Sequence, residues 1–181
     1  MTPTETLKHE HKIVLMVLQG AEREAIAIQG GAAVHAEAIE QMLDFFKNFV
    51  DRCHHAKEER HLFPALQAKG FSPESGPVAV MLHEHELGRV AVQAISSSLP
   101  GARSGDRAAA EALASALLSY VELLRNHIYK EDNVLFPMAD QALRADEQAQ
   151  LAVLFDKVEE EEIGPGIHER YHQLAHELAG T

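Results

Sequence analysis

The 181-residue chain is poor in cysteine and aromatic residues: Cys53 is its one cysteine, it has no tryptophan, and aromatics make up 6% of the residues. A single cysteine excludes an internal disulfide and a zinc site built from several thiolates. No apolar run approaches the roughly 20 residues of a membrane span. The first residues lack the basic and apolar segments of a signal peptide. We therefore expect a cytoplasmic protein without a membrane-spanning segment.

Basic residues are also scarce, with 16 Lys and Arg against 28 Asp and Glu and a formal net charge of −12. Such a chain repels phosphate backbones, so we expect no direct binding to nucleic acid. Hydrophobic residues make up 46%, which is enough for a folded domain with a buried core. Abundant Ala, Leu, Glu and Gln favour an all-α fold.

Apolar residues recur at helical spacing along four main segments. We predict helices over about residues 4–29, 33–69, 77–98 and 106–143, with a Ser/Gly/Pro-rich loop over 96–105. Pro64 and Pro137 fall inside the second and fourth helices, where each removes a hydrogen bond and kinks or restarts the helix. Two shorter helices are predicted over about 146–162 and 168–178.

The two halves of the main segment repeat one pattern. Residues 54–64 read HHAKEERHLFP, residues 127–137 read HIYKEDNVLFP, and an upstream Glu-His pair precedes each, at 10–11 and 84–85. The repeat predicts two helical hairpins that stack as an antiparallel four-helix bundle over residues 1–143. Residues 144–181 are predicted to be a helical extension packed on the same domain.

A histidine occupies the predicted inner face of each of the four helices, and a glutamate joins it on the second and fourth. A His and a Glu four positions apart lie on one helical face, and both such pairs fall on apolar stripes. The predicted metal ligands are His11, His54, Glu58, His85, His127 and Glu131. Two buried carboxylates without cations cost several kcal/mol each, and only Arg89 lies close to these stripes. Metal ions would supply the charge, and mixed imidazole and carboxylate ligation suits iron or manganese. The competing interpretation is a polar network in an ordinary bundle.

The number of ligands predicts a reactive site. Two octahedral ions need about twelve ligand positions. Four imidazoles, two bridging carboxylates and one bridging oxide or hydroxide leave roughly two positions open. Open positions indicate binding of a small molecule, whereas a saturated site would indicate a structural role alone.

These motifs resemble the hemerythrin-like, or HHE cation-binding, family over about residues 5–140. The resemblance implies a hemerythrin-like bundle with two iron ions and a bridging oxo or hydroxo group, with manganese or zinc possible on purification. It implies binding of O₂, NO or peroxide. Oxygen carriers of the family use a further histidine four positions after the one matching His85, where this chain has Arg89. The pattern is closer to bacterial di-iron proteins linked to iron–sulfur cluster repair and nitrosative stress.

Three functions remain open. The first is a non-haem di-iron protein that binds or reacts with O₂, NO or peroxide in stress response or iron homeostasis. The second is iron supply, including iron–sulfur cluster repair, without catalytic turnover. The third is an interaction module whose metal only supports folding. A redox or iron–sulfur protein is an expected partner, and whether the chain is an enzyme stays open, as does its oligomeric state.

The remaining histidines are not predicted to be metal ligands. Surface or supporting positions are predicted for His9, His35, His55, His61 and His83. The stripe His168, His172 and His176 fits amphipathic packing better than a second metal site with residues 159–162. Cys53 is interpreted as a small core residue, and Tyr120 either as a core residue or as a hydrogen-bonding group near the site.

Overall fold

Every regular element is helical in the computed structural model, which describes residues 1–164 and 166–180. The α-helices are α1 (Pro3–Gln29), α2 (Ala36–Phe45), α3 (Phe63–Gln67), α4 (Gly76–Arg103), α5 (Arg107–Lys130), α6 (Phe136–Ala142), α7 (Ala145–Glu162) and α8 (Ile167–Ala179). Three segments are π-helical: π1 (Phe46–His55), π2 (Glu58–Leu62) and π3 (Glu131–Leu135). The all-α prediction is confirmed. Pro165 and Thr181, in the predicted C-terminal extension, lie outside the described residues.

Four helical rods form the bundle: α1, the run from α2 to α3, α4, and the run from α5 to α6. Short connections make successive rods antiparallel, and α5 packs against both α1 and α4. Two apolar clusters fill the interior. Along α1, Leu7 belongs to one cluster and Val14 to the other. His11 lies between them, so the polar site is a layer between two apolar cores.

The predicted loop over 96–105 was wrong, because α4 continues to Arg103. Leu99 and Ala102 are buried on the bundle side of this extra turn. A Cβ at Gly101 would lie only 2.8 Å from Cβ of Ala109, so α4 and α5 approach closely here. Burial of this turn outweighs the single hydrogen bond that Pro100 removes.

Each of the two Leu-Phe-Pro motifs lies at the end of a π-helical turn, which is wider than an α-helical turn. The Phe63 N–H donates to the Glu58 carbonyl and the Phe136 N–H donates to the Glu131 carbonyl, each across five residues. Pro64 and Pro137 follow directly, and a proline ring conflicts with the carbonyl four residues earlier in an α-helix. A wide turn relieves that conflict, so the chain continues as a helix where a kink or restart was predicted. Both widened turns begin at a predicted ligand.

The C-terminal helices cover the bundle. Phe155 of α7 packs in one apolar cluster, and Tyr171 of α8 packs in the other. A Cβ at Gly20 would lie 2.5 Å from the Leu178 carbonyl oxygen, so only glycine lets α8 approach α1 this closely. Arg23 donates to the Leu178 carbonyl at 2.8 Å and caps the end of α8. The domain division at residue 143 stays a prediction. None of the described helices combines the length and apolarity of a membrane span.

Candidate metal centre

The structure brings all six predicted ligands together in the layer between the apolar clusters. Each is at most 2% exposed. Together with His55, they form two neighbouring groups, in each of which one potential ligand atom per residue lies within 4.8 Å of the others. The first group is His11, His54 and Glu131, and the second is His55, Glu58, His85 and His127. This is the arrangement expected of a two-ion site.

Both carboxylates lie between the two groups. Oε2 of Glu131 is 3.2 Å from Nε2 of His11 and 3.2 Å from Nε2 of His127. Oε2 of Glu58 is 3.4 Å from Nε2 of His85 and 3.9 Å from Nε2 of His54. Each glutamate therefore reaches one imidazole of each group, which is the position that a bridging carboxylate needs.

The inner atoms of the site are buried and have no hydrogen-bond partner among the residues that the structure describes. Both carboxylate oxygens of Glu58, both of Glu131, and Nε2 of His85 and of His127 are in this state. Buried polar atoms are normally paired, because leaving one unpaired costs about 1–3 kcal/mol, and more for a charged group. Six unpaired atoms facing one another fit a pair of cations, since nitrogen and carboxylate oxygen are iron ligands.

The outer nitrogen of each predicted ligand histidine donates to a carboxylate from another part of the bundle. Nδ1 of His54 donates to Glu10 at 2.8 Å, and Nδ1 of His127 donates to Glu84 at 3.0 Å. The other two predicted ligands repeat the pattern: His11 donates to Asp132 at 2.8 Å and His85 to Glu59 at 2.6 Å. These bonds hold each ring so that its Nε2 points into the site, where the Nε2 atoms of His11 and His54 lie 3.0 Å apart.

Two lysines of the repeat neutralise the orienting glutamates, and neither was predicted from the sequence. Lys57 donates to Glu10 and, at 3.1 Å, to Glu159 of α7, and it is fully buried. Lys130 donates to Glu84 on the other side of the bundle and is partly exposed. The sequence signal was present: the Lys in H-x-x-K-E and the Glu of each Glu-His pair occur in both halves.

Burial and neighbouring charges shift the pKa values of the buried carboxyls and imidazoles in different directions. Burial raises the pKa of Glu58 well above its ordinary value, and the Glu131 carboxylate raises it further. Burial also opposes ionisation of Glu131, but His127 and His11 hold its pKa well below the ordinary value. Burial lowers the pKa of His54 to about 4, so that imidazole is neutral at pH 7. Without a cation, these shifts favour the protonated form of Glu58, and binding of a cation would favour its ionised form.

His55 is the largest departure from the sequence-based interpretation, which placed it on the surface or in support. It is 5% exposed and belongs to the second group of potential ligands. An α-helical register turns the residue after a ligand sideways, but His55 lies in π1, where that register does not hold. No local sequence signal showed this segment to be π-helical.

A cavity of about 180 Å³ connects this second group to the surface. Its lining runs from the exposed Lys47 and Gln93 to the buried His55 and His85, and Tyr120 forms part of the wall. Tyr120 is buried and its ring packs on Phe46, 4.6 Å between centroids, so it combines a core role with a position beside the site. The cavity is large enough for a diatomic molecule or peroxide.

The other histidines lie away from the two groups. His9, His35 and His83 are exposed, and His61 is half-buried.

Nδ1 of His168 donates to Glu159 at 2.7 Å, while Tyr171, Ala175 and Leu178 form the buried face of α8. Glu10, Glu159 and His168 could hold an ion by distance alone, but Lys57 already neutralises both carboxylates. Cys53 is buried, and burial raises the pKa of its thiol to about 12.

The comparisons with known proteins identify a family. The family model for the hemerythrin HHE cation binding domain matches residues 2–139. "Uncharacterized protein Rv1995" of Mycobacterium tuberculosis is 26% identical over 168 residues, covering 91% of this chain and 64% of that protein. An iron-sulfur cluster repair protein YtfE of Dickeya chrysanthemi is 35% identical over 88 residues, covering 48% of this chain and 40% of that protein.

A second YtfE, of Cronobacter sakazakii, is 27% identical over 139 residues, covering 73% of this chain and 59% of that protein. The chain thus spans less than two thirds of the length of these relatives. No solved structure matches the chain significantly.

Proposed function

The chain belongs to the hemerythrin HHE cation binding domain family, and from this premise we propose that it is a non-haem di-iron protein that binds or reacts with O₂, NO or peroxide. One iron would be held by His11 and His54, the other by His85 and His127. Glu58 and Glu131 would bridge the two ions together with an oxide or hydroxide. When bound, such an iron pair supplies redox-active positions that accept a small diatomic or peroxide ligand.

One observation carries this proposal: two buried glutamates face four imidazoles, and their carboxylate oxygens make no hydrogen bond to any described residue. A structural polar network would pair these atoms with one another or with backbone groups. Lys57 and Lys130 instead form ion pairs with the outer carboxylates of Glu10 and Glu84. The inner carboxylates of Glu58 and Glu131 are left for cations.

The protein's own residues control the access of small ligands and water to the site. The Phe136 ring stacks on His11 with 5.6 Å between centroids, and the Phe63 ring stacks on His85 with 5.8 Å. These rings close the site on the side of the second apolar cluster. The cavity beside His55 and Tyr120 gives a small ligand its route from the surface. A dry site strengthens the electrostatic interactions within it.

The test is to load the protein with iron and measure metal per chain, the near-ultraviolet spectrum, and the response to NO and to peroxide. Two irons per chain, charge-transfer bands and a spectrum that changes with either ligand support the proposal. Protein that binds iron but is inert to O₂, NO and peroxide would remove the reactive role.

Iron supply or iron–sulfur cluster repair without turnover is the second candidate. It is favoured by the 35% identity with the iron-sulfur cluster repair protein YtfE of Dickeya chrysanthemi over 88 residues. This function requires labile iron and transfer to an acceptor. Transfer of ⁵⁷Fe from the loaded protein to an apo iron–sulfur protein, faster than to a chelator of equal affinity, would favour it over the first candidate. A cytoplasmic location and a redox or iron–sulfur protein partner stay predictions.

A further inference from the structure

We propose that His55 is a fifth imidazole ligand of the metal centre, bound to the ion on the His85 and His127 side. The inference rests on the proposed two-ion site and adds a residue that lies outside the paired motifs. The two metal positions would then differ, with two imidazoles on one ion and three on the other.

Position and burial support this assignment. A ring nitrogen of His55 lies within 4.8 Å of ligand atoms of Glu58, His85 and His127, and the residue is 5% exposed. Its ring lies parallel to that of His85, with centroids 3.8 Å apart and planes 15° apart. His55 and His85 therefore approach the same space from two different rods of the bundle.

The backbone explains how two consecutive histidines both face inwards. His54 and His55 close π1. A turn closed by bonds across five residues contains more residues than an α-turn, so neighbouring side chains are separated by a smaller angle around the helix axis. His54 reaches the first group and His55 the second without any break in the helix. π-Helical turns are frequent at functional sites.

A carboxylate also lies near His55, although farther away than the carboxylates that accept from the other four imidazoles. Its Nδ1 lies 3.5 Å from Oδ1 of Asp51, one turn earlier on the same helix. Asp51 is itself held by Arg89, whose Nε donates to Oδ1 at 2.9 Å. Arg89 also donates to Glu59, the partner of His85, at 2.7 Å. One arginine thus positions the carboxylates beside both stacked imidazoles, as expected for orienting groups around a metal.

Burial also limits the hydrogen bonds that His55 can make, with Asp51 as its nearby carboxylate. Its Nδ1 is buried and makes no hydrogen bond within the described residues. An imidazole in an apolar core normally pairs both ring nitrogens that water cannot reach. A metal ion beside His85 and His127 would occupy the ring nitrogen that faces the site.

The test compares the iron-loaded wild type with His55→Ala and with the control His83→Ala, which removes an exposed histidine of α4. We expect two resolved Mössbauer doublets of equal area in the wild type and in His83→Ala. In His55→Ala, one doublet shifts or disappears and one iron leaves to a chelator about tenfold faster or more. Added imidazole restores the lost doublet. Unchanged doublets and chelation rate in His55→Ala would overturn the proposal and leave His55 a packing residue.

A measurement on the wild type keeps the proposal testable if His55→Ala does not fold. Proton NMR of the iron-loaded protein in H₂O and in D₂O counts the exchangeable, strongly shifted N–H signals of metal-bound imidazoles. Five signals support His55 as a ligand, and four overturn it. A wild type that binds no iron pair would instead refute the proposed function, so the two failures are distinct.

Discussion

At the scale of single residues, the candidate centre is a set of imidazoles whose direction is decided before any ion binds. A carboxylate from another rod accepts the outer N–H of each histidine in the repeat, as with Glu10 for His54 and Glu84 for His127. Preorganisation of this kind reduces the entropy that metal binding must overcome. The orienting carboxylates therefore matter almost as much as the ligands.

Loss of one orienting carboxylate should weaken metal binding without removing a ligand. In Glu84→Gln, His127 keeps its place but loses its charged partner, so we expect iron affinity to fall by about 10–100-fold. Competition with a chelator of known affinity measures this. Glu122→Gln, an exposed position on α5, is the matched control. Equal affinities in the two variants would show that Glu84 does not orient the ligand.

The two lysine–glutamate pairs should differ in their effect on stability. Glu10→Gln leaves the buried Lys57 with Glu159 as its remaining carboxylate, so we expect the free energy of unfolding of the metal-free protein to fall by about 3 kcal/mol. Glu84→Gln leaves a partly exposed Lys130 and should cost less. Urea unfolding of both variants gives the comparison. A cost at residue 84 equal to that at residue 10 would contradict it.

At the scale of elements, the π-helical segments carry three predicted ligands and also His55, whose inward direction α-helical spacing does not predict. π1 contains His54 and His55, while π2 and π3 begin at Glu58 and Glu131. A π-turn is rarer than an α-turn and is kept where packing or function requires it. The prolines that follow π2 and π3 are the local chemistry that favours the wide turn.

Replacing Pro64 should therefore disturb the site. Pro64→Ala supplies an N–H that can donate to the Arg60 carbonyl, which favours an α-turn and rotates Glu58 away from its position. We expect unchanged or higher stability of the metal-free protein and at least a tenfold loss of iron affinity. Pro100→Ala, inside α4 and far from the ligands, should leave affinity unchanged. Equal affinity in Pro64→Ala and wild type would show that the proline does not shape π2.

Packing of α8 should depend on pH through His168. The Glu159 carboxylate accepts from His168 and raises its pKa, Glu10 raises it further, and Lys57 lowers it. His172 is another titratable neighbour, at 2.8 Å between Nε2 atoms. A raised folded-state pKa means that this pair stabilises fully below the unfolded pKa of 6.5 and is lost as pH rises through the higher folded value.

Hydrogen exchange measures that effect. Between pH 6 and 9, and after correction for intrinsic exchange, we expect protection of α8 amides to fall while α5 stays unchanged. His168→Gln should abolish the pH dependence. Protection of α8 that is independent of pH in the wild type would contradict the assignment.

At the scale of the whole molecule, the centre joins four rods through one polar layer, so metal occupancy should control global stability. Without ions, Glu58 and Glu131 bring buried, unpaired oxygens into the middle of the bundle. A ligand that binds only the folded state stabilises it by mass action. The apolar clusters above and below the layer keep the metal-free chain folded but less stable.

Removal of iron should lower the melting temperature. At a free iron concentration near 1,000 times Kd, bound metal adds about 4 kcal/mol, which corresponds to about 8–16 °C for a chain of this size. Calorimetry of the loaded protein, before and after reduction and chelation, measures the shift. Restoring iron should restore the melting temperature. Equal melting temperatures with and without iron would indicate that no ion sits in the layer.

The sequence by itself determined the helical class, the two-hairpin plan and the inward placement of four histidines and two glutamates. Periodicity was sufficient here, because residues three and four apart share one helical face whatever the neighbouring rods do. The family resemblance is confirmed by the match over residues 2–139. The ligand set, the iron pair and its reactivity stay predictions.

Only the tertiary structure decided three further features. The direction of His55 depends on a π-turn, which forms when packing across the bundle favours it over α-geometry. The burial of Lys57 depends on α7, which supplies Glu159 from about a hundred residues away in sequence. The last turn of α4 stays helical despite Pro100, because the Leu99 side chain is buried in the core of the bundle. Each feature depends on a long-range interaction that competes with the local conformational preference of the chain. The local sequence pattern therefore does not predict it.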